Sequence, residues 1–415
     1  MKIFIQWLMI FICFCLIYIL RLHASQPLNI PDQAAIRLTG RIIQQPYQRD
    51  SKQIINVNGF LIKADRFPAY FYGQKVVVTG KVQKRMINRF ASQFSLYYPQ
   101  IQVIDQTRTL IDKINFGDLL LGFRKRLEEG LGQALPEPQV SLLAGILLGS
   151  RRDLPEKFMT NLRGTGTMHV IVASGYNISV VAGFLVGILL LFFRRRSAVG
   201  GAFLGIVGYT IMAGGEPPVV RAAIMGSLTC LAQLLGREKD VLASLLFAAA
   251  IMLLVSPLIL FDIGFQLSFL ATAGILLIEP LLTGKLFSLP LLGQDLKVTL
   301  AAQIATLPIL VFNFGQISLL SLLVNALVLP VTPLIMGLGA VTAGLSLVSV
   351  ALARVSAWLV WLPLTYFVKV IDWFGPWSQL VSLKLASVSN WWVGGYYLGL
   401  SLWLWRQKRV SASSA

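Results

Sequence analysis

The stretch "NISVVAGFLVGILLLFFRRR", residues 177–196, decides the fold class. Its first 17 residues carry no charge, and three arginines follow them directly. At 1.5 Å per residue such a helix is roughly 25 Å long, close to the thickness of the hydrocarbon core of a bilayer. Only 13% of the 415 residues are charged, whereas soluble domains carry about 25%. The sequence therefore predicts an integral membrane protein.

Apolar runs of similar length recur from Pro138 onward. The stretch 317–349 contains Pro330 and Pro333 and predicts a broken or re-entrant helix together with one full crossing. The run 139–149 is too short to span and predicts a re-entrant or interfacial helix. The predicted fold class is a polytopic α-helical membrane protein with about 9–11 transmembrane helices, some of them broken or re-entrant. The remaining crossings are predicted at about 177–193, 197–213, 217–236, 241–257, 263–283, 298–315, 355–371 and 390–405.

The N-terminal third is organised differently. Residues 1–22 predict a transmembrane anchor, and a cleaved signal peptide is the alternative. Residues 30–108 alternate apolar and polar side chains between Gly, Pro, Asn and Asp, which predicts about five short strands in a small β-barrel of OB-fold type. Residues 109–137 predict an amphipathic connecting helix on the membrane surface, which leads into the polytopic domain, 138–415.

The distribution of charge predicts the orientation. Eleven Lys and Arg residues fall in loops and a tail on one predicted side of the membrane, against one on the other. The basic side is predicted to be cytoplasmic, with both termini on that side and the barrel outside. The barrel segment still has a surplus of eight positive charges. This surplus cannot be explained by orientation and favours a polyanionic partner.

Aromatic residues lie between the basic residues of the barrel segment. A basic surface with exposed rings suits single-stranded nucleic acid, since phosphates need charge and bases stack. The alternative, that these aromatics fill the barrel core or sit at the bilayer interface, stays open. The external contact candidates are Lys81, Lys84, Arg85 and Arg89. The aromatic residues are Phe60, Phe67, Tyr70, Phe71, Tyr72, Phe90, Phe94, Tyr97 and Tyr98.

Polar residues within the apolar runs are the candidates for a path through the membrane, because they are costly there. They could line such a path, or they could merely join helices. A helix starting near Ser174 would present amides that attract anions, and Arg221 would either face a cavity or reach the outer interface. The candidates are His169, Ser174, Gly175, Asn177, Arg221, Gln266, Ser268, Gln303 and Asn325.

Four segments together resemble the ComEC-type competence proteins, the inner-membrane DNA channels of natural transformation. By this resemblance, seven of the residues fall on recurring family positions: His169, Ser174, Gly175, Pro218, Arg221, Gln266 and Ser268. The family usually has a histidine where this chain has Asn177. The segments are "LLAGILLGSRRDLPEKFMTNLRGTGTMHVIVASGYNISVVAGFL", "EPPVVRAAIMGSL", "SPLILFDIGFQLSFLATAGI" and "LVNALVLPVTPLIM".

The resemblance implies a bacterial inner-membrane channel for single-stranded DNA. Many members of the family continue into a metallo-β-lactamase-like nuclease domain, which requires several histidines around two metals. This sequence has two histidines, so we expect no nuclease, no enzyme activity, no metal and no cofactor. No phosphate-binding GxxxxGK[ST] loop occurs. The expected partners are the lipid bilayer, single-stranded DNA, and a separate DNA receptor, nuclease and motor ATPase; an oligomer is left open.

Two other functions remain open at this stage. One is a membrane-embedded hydrolase with Ser174 as nucleophile and His169 as base, although no acid stands nearby to orient the histidine. The other is a transporter of a small anionic solute, for which the basic barrel would be unnecessary.

Overall fold

The computed structural model describes most of the chain. The described residues are 14–23, 31–42, 46–49, 52–58, 60–65, 67–68, 70, 74–86, 92–104, 116–150, 154–171, 175–238, 240–284, 293–384 and 389–413.

The N-terminal domain is a curled β-sheet. Its strands run in the order β1-β5-β6-β4-β3-β2, and β7 pairs with β5. Among the described strands only β4 and β6 pair in parallel, and a bridge between Ile42 and Val57 joins the end of β1 to β3. This partial barrel confirms the OB-like prediction. The strands are β1 (Ala35–Arg41), β2 (Tyr47–Arg49), β3 (Lys52–Val57), β4 (Phe60–Asp65), β5 (Lys75–Met86), β6 (Ser92–Tyr97) and β7 (Gln100–Val103).

The alternation in the sequence fixes which side of the barrel wall is buried. In β4, Phe60, Ile62 and Ala64 face the interior, while Leu61 and Lys63 are less buried. Side chains of adjacent strand residues point to opposite faces of a sheet. Every second residue of a strand therefore faces the barrel interior. The inner face closes over an apolar core in which Ile62 and Leu96 have no exposed surface.

The rest of the described chain is helical, apart from a two-stranded pair of β8 (Gln316–Ser318) and β9 (Ser382–Lys384). The described part of the first helix is α1 (Phe14–His23). The other helices are α2 (Phe116–Ala134), α3 (Gln139–Leu148), α4 (Glu156–Gly164), α5 (Met168–Ile171), α6 (Gly175–Phe192), α7 (Arg195–Met212), α8 (Pro217–Leu234), α9 (Val241–Val255), α10 (Ile263–Leu277), α11 (Gly293–Phe314), α12 (Ser321–Val328), α13 (Thr332–Ser346), α14 (Val350–Leu380) and α15 (Asn390–Ser413).

Five helical segments of the described chain are long and apolar enough to cross a membrane, which agrees with the predicted fold class. Helices α7, α8, α9 and α15 coincide with further predicted spans, but they are shorter or less apolar. The exact number of crossings therefore stays a prediction, as does the anchor, of which only α1 is described. The five segments are Met168–Phe192, Ile263–Leu281, Gly293–Phe314, Ser321–Ser346 and Val350–Ser378.

Helix α3 was predicted to be either re-entrant or interfacial, and the structure places it inside the bundle. All ten of its residues are buried, whereas an interfacial helix would expose a polar face. The interfacial alternative is therefore wrong. The helix has no polar face to turn toward headgroups, and α2, α5, α13 and α14 enclose it. The re-entrant alternative stays a prediction.

Two further segments are compared with the sequence prediction. The stretch 317–349 contains the predicted break, a 3₁₀ turn at Leu329–Val331, but forms one helical run, Ser321–Ser346, without a separate full crossing. The turn occurs because Pro330 has no N–H to donate to an α-helical bond. Helix α2 packs into the bundle core through residues such as Leu131. Its Arg124 is buried, pairs with Glu128 at 2.8 Å and donates to the Met212 carbonyl. Arg124 is thus not a membrane-surface charge.

A proline in α11 shows how the bundle satisfies its backbone. Pro308 has no N–H, so the carbonyl of Ile304, four residues earlier, loses its helical donor. The hydroxyl of Tyr396, on α15, donates to that carbonyl at 2.9 Å. The neighbouring Tyr397 hydroxyl donates to the carbonyl of Ala305 at 3.0 Å. Two tyrosines therefore fasten the last helix to the proline-distorted turn of α11.

We predict that Tyr396→Phe lowers the free energy of unfolding by about 1–2 kcal/mol, because the Ile304 carbonyl is left without a donor. In a Pro308→Ala background the restored N–H serves that carbonyl, so the same change costs much less. Thermal unfolding of the four proteins in detergent measures both costs. Equal costs in the two backgrounds would contradict the role assigned to Tyr396.

Candidate functional site

Four residues on the outside of the barrel form a basic–aromatic face: Lys52, Lys63, Tyr97 and Tyr98. The Lys63 ammonium donates to the Tyr97 hydroxyl at 2.9 Å and lies 4.4 Å from the centre of its ring. The Lys52 ammonium lies 4.7 Å from the centre of the Tyr98 ring. A hydrogen bond to Tyr98 raises the pKa of Lys52, so this lysine is charged at neutral pH. The two rings are 39% and 57% exposed.

The aromatic residues of the barrel segment divide into two groups. Phe60 and Tyr70 are buried, and Phe94 packs against Phe60 with ring centres 5.5 Å apart. For these residues the core-filling alternative is correct. Tyr97 and Tyr98 are exposed, and so is Phe67. Exposed rings of this kind can stack on the face of a base. The remaining three aromatics, Phe71, Tyr72 and Phe90, lie outside the described residues.

The basic residues singled out from the sequence lie on or after β5. Lys81 is exposed and sits opposite Ala35 of β1. Lys84 and Arg85 belong to the part of β5 that pairs with β6, and their side chains are not described. Arg89 lies outside the described residues. The sequence alone did not single out Lys52 or Lys63, because only the strand pairing brings them to exposed tyrosines.

Within the helical bundle, a tight turn follows the C-terminal end of α4. The two buried threonines there, Thr165 and Thr167, have no exposed surface. The Thr165 backbone N–H and hydroxyl both donate to the Asn161 carbonyl, and the Thr167 N–H donates to the Leu162 carbonyl. Carbonyls in the last turn of a helix have no helical donors. These contacts supply them at a helix end buried in protein.

His169 lies just after this turn. Its Nδ1 donates to the Gly166 carbonyl across 3.0 Å, since a carbonyl can only accept. The His169 side chain is exposed at the surface of the bundle. Ser174 lies outside the described residues, so the geometry does not test a Ser174–His169 pair.

Asn177 lies in the first turn of α6 and is 1% exposed. Its amide nitrogen donates at 2.9 Å to the carbonyl of Ile146, which belongs to the last turn of α3. Such a carbonyl has no partner within its own helix. Asn177 thus joins α6 to α3 at the point where α3 ends.

Arg221 is buried at the junction of α6, α8 and α10. It donates to the Ser268 carbonyl and to the Thr272 hydroxyl. Its Nε has no hydrogen-bond partner, and no carboxylate of the described residues forms an ion pair with it. A Cβ on Gly175 would lie 2.5 Å from its other terminal nitrogen. The guanidinium is therefore turned into the bundle, not toward an interface.

The remaining candidates are also placed by the structure. The Gln266 amide donates to the Leu260 carbonyl at 2.9 Å, in the turn before α10. The Gln303 amide donates to the Ser321 hydroxyl at 2.6 Å and so joins α11 to α12. Asn325 is buried, and its side-chain oxygen has no hydrogen-bond partner. In this structure the polar residues of the bundle mostly join helices.

The sequence analysis did not identify two hydrogen-bond partners of the candidate residues: Thr272, which bonds to Arg221, and Ser321, which bonds to Gln303. Thr272 follows Ser268 by four residues, so helical spacing alone would have placed both on one face. Ser321 is the first residue of α12, whereas its partner Gln303 lies in α11, so no sequence spacing indicates that the two side chains meet.

Comparison with known proteins gives a consistent result. The protein-family profile described as "Competence protein" matches residues 146–410. The chain is 28% identical to ComE operon protein 3 of Bacillus subtilis (strain 168) over 217 residues, which is 52% of this chain and 28% of that protein. It is 30% identical to an uncharacterized protein of Aquifex aeolicus (strain VF5) over 227 residues, 54% of this chain and 50% of that protein. The matches thus span half or less of these relatives, and no solved structure matches.

We predict that Gly175→Ala lowers the free energy of unfolding by about 1–3 kcal/mol, because the added methyl group overlaps the Arg221 guanidinium. The matched control is Gly183→Ala in the same helix, where an added Cβ meets nothing within 4 Å. The control should leave stability unchanged or slightly raised. Thermal unfolding in detergent compares them, and equal stability of the two variants would contradict the packing described for Arg221.

Proposed function

Because the chain belongs to the competence protein family, we propose that it is an inner-membrane channel that takes single-stranded DNA into the bacterial cytoplasm. Family membership and the apolar helices support a membrane protein with a role in competence DNA uptake. The channel activity, the multiple crossings and the cytoplasmic position of both termini belong to the proposal. So do a separate DNA receptor, nuclease and motor ATPase as partners.

The observation that carries the proposal is the basic–aromatic face of the barrel. Two lysines each lie beside an exposed tyrosine ring. Single-stranded DNA offers regularly spaced phosphates and bases with open faces, and these two ligand groups match ammonium groups and rings. A small anionic solute would use the charges but not the rings. The face therefore favours a strand over the small-solute alternative.

Within the bundle we assign phosphate contacts to Arg221 and the start of α6 near Gly175. His169, Asn177, Gln266, Ser268, Gln303 and Asn325 are proposed to line the path. Several of them now bond to neighbouring helices. We propose that the described arrangement is a closed one, in which passage of a strand would exchange bonds between helices for bonds to DNA. Phosphate oxygens are stronger acceptors for a guanidinium than the neutral oxygens that Arg221 now contacts.

We predict that the double variant Lys52→Ala, Lys63→Ala weakens single-stranded DNA binding by the full chain in detergent. Each phosphate contact on single-stranded DNA adds about 0.7 to the slope of log affinity against log salt, so losing two contacts lowers the slope by about 1.4. Titrations over a salt series measure it. Lys125→Ala, an exposed lysine of α2 paired with Glu129, is the control. An unchanged slope in the double variant would exclude the two lysines as phosphate contacts.

We predict that Arg221→Gln lowers transformation frequency by about 10- to 100-fold, as expected when a charge-assisted hydrogen bond worth roughly 1.5–3 kcal/mol is lost. DNA binding at the barrel should persist. Arg354→Gln is the control, since Arg354 is exposed and donates to the Gln133 carbonyl. The assay uses competent cells that carry the variant as their sole copy. Normal transformation with Arg221→Gln at normal protein level would rule out the phosphate contact.

A further inference from the structure

A shallow groove lies at the edge of the barrel where β4 ends. Its volume is about 130 Å³, small beside the roughly 300–1,000 Å³ of sites for drug-sized ligands. It therefore has room for one flat ring system. The groove is lined by Ala64, Asp65, Phe67, Pro68, Tyr70, Tyr98, Pro99 and Ile101.

From this groove we infer a pocket for a single nucleobase of the incoming strand, an inference that rests on the proposed function. Two of its lining side chains are exposed aromatic rings: Phe67 is 76% exposed and Tyr98 57%. Large apolar rings are usually withdrawn from water, and exposed ones next to a cavity mark binding surfaces. Proline, alanine and isoleucine side chains also line the groove. Such a site suits the face of a base, which stacks on aromatic rings without regard to sequence.

The charges around the groove fit the other parts of a nucleotide. Lys52 lies opposite Asp65 in the β3–β4 ladder, and its ammonium sits 4.7 Å from the centre of the Tyr98 ring. The Tyr98 ring therefore borders the groove and also contacts the Lys52 ammonium. A base in the groove would place its own phosphate close to an ammonium group. A single nucleotide thus engages a ring and a charge together.

The position of the groove separates it from the usual OB-fold contacts. Oligonucleotides commonly bind OB folds on the second and third strands and on the loops after the first and fourth strands. This groove instead begins where the third barrel strand, β4, leaves the sheet toward β5, and Tyr98 and Pro99 close it just after β6. It adds one base contact beside the basic–aromatic face.

Asp65 gives the groove a preference among bases. An ionised carboxylate only accepts hydrogen bonds. Cytosine, adenine and guanine each carry an exocyclic amino group that donates. Thymine has only its N3–H, which lies between two carbonyl oxygens that repel a carboxylate. The groove is therefore selective for amino-bearing bases over thymine, a preference superimposed on stacking that accepts every base.

The experiment compares single-stranded oligonucleotides of equal length and charge, one bearing cytosines, one thymines and one abasic, bound to the full chain in detergent. The cytosine strand should bind roughly 5- to 100-fold more tightly than the abasic strand, as stacking on one ring predicts. Tyr98→Ala and Phe67→Ala should reduce that ratio. Trp391→Ala is the control, because its ring is exposed but belongs neither to the groove nor to the basic–aromatic face, and it should keep the ratio. Tyr97→Ala, in the face but outside the groove, should reduce the ratio less than Tyr98→Ala does. Asp65→Asn should remove the advantage of cytosine over thymine.

The outcomes separate this inference from the proposed function. Equal affinity of the wild-type chain for abasic and base-bearing strands, with a steep salt dependence retained, overturns the nucleobase pocket and leaves the DNA channel intact. Loss of the ratio in Tyr97→Ala but not in Tyr98→Ala also overturns the pocket, because the stacking ring would then lie elsewhere. Absence of any salt-dependent binding overturns the proposed function itself.

Discussion

Every backbone N–H and C=O at membrane depth must find a partner inside the protein, and the arrangement of the bundle follows from this constraint. Helix α3 shows it most clearly, because all ten of its residues are buried and its last carbonyls have no helical donors. The Gly149 N–H donates to the Gly145 carbonyl, and the Ser150 N–H donates to the Ala144 carbonyl. The Asn177 amide from α6 serves Ile146. A helix can end inside the bundle because these donors come from its own cap and from a neighbouring helix.

The same constraint bears on Asn177, for which the resemblance to the ComEC-type proteins implies a histidine in other members. The Asn177 amide donates one hydrogen bond to the end of α3. An imidazole N–H is also a donor, so either residue can serve a carbonyl at this point. What the two side chains share is the hydrogen bond. A role that depends on titration of an imidazole does not fit Asn177.

Sequence periodicity was sufficient to predict the element types and the barrel, because long apolar runs and strict alternation each have one dominant structural cause. How deeply each element is buried in the bundle was not predictable. The composition of α3 is the same whether it lies at an interface or in the core, and only its neighbours decide. The candidate site likewise contains residues that the sequence indicates and partners that it does not. Arg221 could be singled out as costly in an apolar run, but its partner Thr272 and the pairing of Lys52 with Tyr98 depend on contacts between separate elements.

The position of Arg221 has an energetic consequence. Removing a guanidinium from water is costly and is usually offset by a carboxylate, but the acceptors of Arg221 are a neutral carbonyl and a neutral hydroxyl, and its Nε has none. Its positive charge is therefore solvated incompletely in this arrangement. An anion that reaches the junction of α6, α8 and α10 gains what the neutral oxygens do not supply. The neutral oxygens that Arg221 contacts are thus weaker acceptors for a guanidinium than phosphate oxygens are.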